Sequence, residues 1–135
     1  MIRICVLIAA INGLMSMVMG AFGSHMLKLS VTPSQYDFFT SASNYQLWYS
    51  ICTIAIFGLI RTNISPSVEN LLKSTCWLFQ GGIILFSGGI YISILTDIKL
   101  HSFIIPAGGV TFMLGWIVFI LATLRKSEQS KQMKC

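Results

Sequence analysis

The chain carries no charged residue between Arg3 and Lys28, between Asp37 and Arg61, between Lys73 and Asp97, or between Lys99 and Arg125. The four gaps hold 24, 23, 23 and 25 residues. Each exceeds the roughly 20 apolar residues that cross a hydrocarbon core about 30 Å thick as a helix. In lipid every backbone N–H and C=O must be paired within the protein, and a helix pairs them within one segment. The expected fold is therefore all-α: an integral membrane four-helix antiparallel bundle, a single domain over residues 1–135. Its spans are expected at about 4–24, 38–60, 74–96 and 102–124, with 125–135 as a basic cytoplasmic tail. A cleaved leader is the rival reading of the first span, with Arg3 as its basic start and Ala21-Phe22-Gly23 as its cleavage site. The length of that apolar run, and the three that follow it, argue for an uncleaved anchor.

Charge placement sets the expected orientation. The N-terminus has Arg3, the middle loop Arg61 and Lys73, and the tail Arg125, Lys126, Lys131 and Lys134, whereas the other two loops hold only Lys28 and Lys99. Basic residues favour the cytoplasmic side, so both termini should face the cytoplasm. The net charge of +5 does not mark a nucleic-acid binder, because these charges only flank spans. With 55% hydrophobic and 10% charged residues the chain suits a bilayer better than water. Cys5, Cys52, Cys76 and Cys135 share no metal-like spacing, and disulfides are not expected.

Helix starts are marked twice. "TPSQ" places Thr32 at an N-cap, Pro33 at the first helical position and Gln35 where a capping box needs it. "SPSVE" repeats the Ser-Pro start, with Glu69 near the positive end of the helix dipole. Pro106 falls in the first turn of the fourth helix, where its missing N–H removes no helical bond. The connections, near 26–32, 62–65 and 97–102, are too short for a domain and make successive helices antiparallel neighbours.

Small residues recur at helical spacing: Ser16, Gly20 and Ser24; Ala9 and Gly13; Gly89 and Ser93; Ala107, Thr111 and Gly115. Such rows let backbones approach closely, which replaces the hydrophobic drive that lipid tails do not supply. Gly20, Gly23, Gly88, Gly89, Gly108, Gly109 and Gly115 are the expected packing glycines.

Two polar groups are expected at depth. Asn12 and Gln80 fall at similar levels in the inner half and are expected to bond as structural glue. Toward the outer half, His25, Tyr45, Gln46, Tyr49, Ser87 and Tyr91 form a candidate polar pocket. His25 is its sharpest member, since an ionisable group near membrane depth is a functional candidate by default. The competing reading is interfacial hydrogen bonding at the edge of the core. His101 and Asp97 lie on the same side, but no spacing demands a metal. Met15, Met17, Met19, Met26 and Met113 read as adaptable packing. No nucleophile elbow, phosphate loop or zinc-protease motif is present, so no catalytic residue, metal or cofactor is expected.

"GAFGSH", "YQLWYS", "FSGGIY" and "IPAGGVTFMLGW" together resemble the YgdD-like family of small membrane proteins, a domain of unknown function that includes transmembrane protein 256. The resemblance covers nearly the whole chain. It implies a four-helix protein of the bacterial cytoplasmic membrane and supplies no activity to carry over. Its motifs point to Gly20, Gly23 and His25; Tyr45 and Gln46; Ser87, Gly88 and Tyr91; and Pro106, Gly108, Gly109, Gly115 and Trp116. The family often has histidine where this chain has Tyr49, so a metal site or proton relay built on two histidines would be incomplete here. The expected function is a non-enzymatic accessory or lipid- and ligand-binding membrane protein. Its expected partners are the lipid bilayer and a second copy or another membrane protein, not nucleic acid. The alternatives are a minimal transporter or channel subunit, or a metal-binding membrane protein.

Overall fold

A computed structural model describes residues 2–62, 64–96 and 103–132, with side chains to 126. Asp97, Lys99, His101, Lys134 and Cys135, and the side chain of Lys131, lie outside the described residues. Four helices account for the described chain: α1 (Ile2–Leu27), α2 (Pro33–Ile60), α3 (Pro66–Thr96) and α4 (Ile104–Gln132). A single π-helical turn interrupts α1 at Gly23–Leu27 and α3 at Ile84–Gly88.

The helix starts follow the capping chemistry. The Gln35 backbone N–H donates to Thr32 Oγ1 at 3.3 Å, and the Thr32 N–H donates to Gln35 Oε1 at 3.0 Å. The Val68 N–H donates to Ser65 Oγ at 3.4 Å. Each such cap is worth about 1 kcal/mol. Pro33 and Pro66 occupy the first helical positions. On the exposed face of α3, Glu69 meets Lys73 at 2.6 Å, one turn on.

Among the described residues, α1, α3 and α4 are long and apolar enough to cross a membrane. The expectation of four such helices is thus met by three on composition. At 28 residues α2 has the length. Its apolar content is diluted by Ser43, Gln46, Ser50 and Thr53, all of them buried inside the protein. A window average cannot see that these groups face neighbours and not lipid.

The bundle is two hairpins, α1–α2 and α3–α4, joined along α2 and α3, with α1 also touching α3. Half of the apolar window of α3 is buried, against 17% for α1 and for α4, so α3 is the central element. Among the described residues the Cα atoms of α4 stay more than 8 Å from those of α1 and of α2. Between α2 and α4 the gap is bridged by side chains, with Tyr49 against Phe112 and Trp116.

Glycines set the α3–α4 register. Phe79 of α3 lies where a Cβ on Gly115 would sit, 2.6 Å away, and the Phe112 ring of α4 fills the space beside Gly82. A Cβ on Gly108 would stand 2.8 Å from Phe86 Cα, and one on Gly89 would stand 3.0 Å from Ile105 Cγ1. The seam thus pairs large with small at positions 79, 82, 86 and 89 of α3 and 115, 112, 108 and 105 of α4. In lipid this close fit brings dispersion contacts that a looser seam would lack. On the other hairpin, Gly13 faces Ser50 at 3.8 Å, Gly20 faces Ser43 at 4.0 Å, and Gly23 seats the Phe39 ring at 3.1 Å. Gly88 and Gly109, expected as packing glycines, have nothing within 4 Å of where a Cβ would stand and so make no close approach. Gly82 takes the role in their place.

Candidate functional site

On α2, Gln46, Tyr49, Ser50 and Thr53 are spaced by three and four residues and share the inward face. Gln46 and Thr53 join a chain of side chains that links three helices. Tyr91 Oη donates to Gln46 Oε1 at 2.8 Å. Gln46 Nε2 donates to Asn12 Oδ1 at 3.3 Å, and Asn12 Nδ2 donates to Gln80 Oε1 at 2.8 Å. Gln80 Nε2 donates to Thr53 Oγ1 at 2.9 Å, and Thr53 Oγ1 donates to the Tyr49 carbonyl at 2.8 Å. From Gln80 to Tyr91 this chain climbs about 16 Å along α3, at roughly 1.5 Å per residue.

The Asn12–Gln80 bond expected from depth is present, and of the outer candidates Gln46 and Tyr91 join it in one network. Ser87 lies beside it, its Oγ donating to the Ala42 carbonyl at 2.8 Å. Among the described residues no buried side-chain nitrogen or oxygen lacks a hydrogen-bond partner. The network contains no carboxylate, imidazole or ammonium group. Its chemistry is that of a register lock: each amide donates on one side and accepts on the other. Losing one such interhelical bond costs about 0.6 kcal/mol on average in a membrane and up to about 1.7 kcal/mol.

The other candidates separate. Tyr49 is buried and stacks on Phe112, with ring centroids 3.7 Å apart and planes 3° apart. Its hydroxyl accepts from Trp116 Nε1 at 3.2 Å. Tyr45 is exposed and lies against Tyr49 and Phe86, at centroid distances of 6.1 and 5.2 Å. His25 sits on the π turn of α1 with its side chain exposed, and makes no hydrogen bond among the described residues. It therefore does not close a pocket with Tyr45, Gln46 and Tyr91. The buried neighbour of Tyr91 is instead Phe39, with centroids 4.9 Å apart. Thr53 and Trp116 join the polar and aromatic arrangement without having been singled out as pocket residues. The signal for Thr53 was its place one turn beyond Tyr49 on the polar stripe. Trp116 has no such signal, because its partner is on another helix.

Two grooves open toward the bilayer where α4 stands apart. One, of about 440 Å³, lies between α2 and α4 and is lined by Ser41, Asn44, Tyr45, Trp48, Tyr49 and Trp116 among others. The other, of about 780 Å³, is lined by Ile2 of α1, Thr111 of α4, and α3 residues that include Asn70, Lys73, Ser74 and Trp77. Among the described residues no three His, Cys, Asp or Glu side chains come together to hold a metal ion.

A four-helix chain with three membrane-grade helices, an inward-facing polar stripe and apolar outer faces defines a small multi-helical membrane protein. Residues 19–109 match the family model described as protein of unknown function (DUF423). The chain is 35% identical over 123 residues to a UPF0382 membrane protein of Staphylococcus aureus, covering 91% of this chain and 97% of the relative. UPF0382 membrane proteins of Staphylococcus epidermidis and Staphylococcus saprophyticus are each 32% identical over 123 residues, with 97% and 98% of the relative covered. The chain belongs to this DUF423/UPF0382 membrane protein family, the one its motifs resemble. No solved structure matches it.

Proposed function

We propose that this protein is a non-enzymatic, four-span resident of the bacterial cytoplasmic membrane that holds a lipid-soluble ligand on its flank. Both termini lie in the cytoplasm. The observation that carries this reading is a contrast between interior and flank. The interior polar groups satisfy one another, whereas the groove between α2 and α4 carries Ser41, Asn44 and Tyr45, which make no hydrogen bond among the described residues. In this topology the polar stripe of α2 is shielded by α1 and α3, so α2 crosses the membrane despite its composition. Gentle transfer into lipid nanodiscs followed by native mass spectrometry tests the reading. A retained adduct of lipid or small-molecule mass at fixed stoichiometry is expected. A bare polypeptide mass under every gentle condition would overturn it.

A transport or channel subunit is the second reading, and one observation favours it: the hydrogen bonds from Tyr91 to Thr53 all donate in the same direction. That chain ends on a backbone carbonyl and is built largely of amides, which are poor proton carriers. Proteoliposomes that pass protons, metal ions or small solutes above the rate of empty vesicles would favour transport over ligand holding.

A further inference from the structure

We infer that the groove between α2 and α4 binds the ring of a lipid-soluble quinone, a neutral flat headgroup with two carbonyl acceptors on a hydrocarbon tail. This deepens the ligand-holding reading above and rests on it.

The first argument is hydrogen bonding. Ser43, Ser50 and Thr53 of α2 each donate to a carbonyl of their own helix. Ser41, Asn44 and Tyr45, on the groove side of the same helix, make no hydrogen bond among the described residues. Asn44 is exposed and stands about 10 Å inside Asp37 along α2, at roughly 1.5 Å per residue. An exposed amide covered by lipid is costly to leave unpaired, and a ligand carbonyl would satisfy it. The three groups offer an amide N–H pair and two hydroxyls, all donors suited to carbonyl oxygens.

The second argument is shape. Tyr45, Trp48, Tyr49 and Trp116 present aromatic surface to the groove. Two of these rings are fixed in advance: Trp116 by its bond to the Tyr49 hydroxyl, and Tyr49 by its stacking on Phe112. Walls already ordered before binding lose little freedom when a flat ring slides between them. The groove volume of about 440 Å³ falls in the range of small-ligand sites, about 300–1,000 Å³.

The third argument is charge. No charged residue lines this groove, so a phospholipid phosphate would find no counter-ion there. Lys73 lines the other groove, beside Asn70 and Ser74, and that is the better seat for a phosphate.

The test uses the full chain in phosphatidylcholine nanodiscs, titrated with a 1,4-naphthoquinone bearing a short prenyl tail, with tryptophan fluorescence as the readout. Trp48 and Trp116 line the groove, and Trp77 lines the other one, so the tryptophans report on location. Saturable quenching is expected, kept in Trp77→Phe and largely lost in Trp48→Phe/Trp116→Phe. Asn44→Leu should bind at least tenfold more weakly at an unchanged melting temperature, since its side chain faces lipid. Ser41→Ala is an independent arm, expected two- to fivefold weaker. Quenching that stays linear with naphthoquinone, or that tracks Trp77, or that is equal in both groove variants, overturns the inference. So does a wild-type dimer that Asn44→Leu converts to monomer. Native mass spectrometry of the same discs separates the two levels. A retained phospholipid without naphthoquinone binding sinks the quinone and spares the ligand-holding reading, whereas no adduct of any kind sinks both.

Discussion

Neighbouring glycines in this chain have opposite roles, and the difference is steric. Gly108 abuts the backbone of Phe86, where a methyl group has no flexible side chain to push aside. Gly109, the next residue, faces open space, as does Gly88. Gly108→Ala should therefore destabilise the protein by about 1–3 kcal/mol, as overpacking does. Gly88→Ala and Gly109→Ala should be neutral or stabilising by up to about 1 kcal/mol, because alanine is the better helix former. Melting temperatures in one detergent would decide, and equal losses at Gly108 and Gly109 would refute the seam described above. The "GAFGSH" motif divides the same way. Gly23 seats Phe39 and Gly20 faces Ser43, while His25 stays outside. Glycine density was visible from sequence, but which glycine touches a neighbour depends on how each helix is turned.

At the scale of elements, the two π turns overlap "GAFGSH" and "FSGGIY". The turn at Ile84–Gly88 inserts an extra residue into α3. Around it, Ser87 reaches the Ala42 carbonyl on α2, while Phe86 meets Gly108 on α4. Beyond it, Tyr91 meets Gln46. Deleting Gly88, whose side-chain position is open, should remove that extra residue, restore α-helical geometry and leave Tyr91 facing Gln46. The deletion should lower the melting temperature by no more than Tyr91→Phe, which removes one hydrogen bond worth roughly 0.6 kcal/mol in a membrane. A deletion clearly worse than Tyr91→Phe would show that the π turn itself stabilises the bundle. Caps and starts were readable in advance because they act within three residues. The π turns were not, because nothing in the local pattern of "ILFSG" separates them from an ordinary helix.

For the whole molecule, the open flanks follow from the pairing of helices. Among the described residues the α1–α2 and α3–α4 hairpins approach by backbone along the α2–α3 seam and the edge of α1, and α4 reaches α2 through side chains alone, Phe112 and Trp116 against Tyr49. Topology is the property most easily tested at this scale. Arg125 Nη1 donates to Ser67 Oγ at 3.0 Å, so the end of α4 and the start of α3 share one face of the bundle. In the proposed orientation that face is cytoplasmic, and Lys28, on the connection after α1, is outside. An impermeant amine reagent applied to sealed cells should label Lys28 and spare Lys126, with Lys126 labelled only after the cells are opened. The reverse pattern would invert the orientation and move the quinone groove to the opposite leaflet.

Sequence by itself determined the helical class, the helix starts and the membrane setting, because long uncharged runs and N-caps express physics that acts within one segment. It also paired Asn12 with Gln80 and placed Gln46 and Tyr91 in one polar group. Tertiary structure alone decided that the two join, which glycines carry the seam, and that His25 is left out. It also decided that Ser41, Asn44 and Tyr45 line a groove between α2 and α4. Those outcomes depend on the rotation and separation of helices distant in the chain. A few degrees of turn, or one inserted residue, moves a side chain from a neighbour to the bilayer without altering its local sequence.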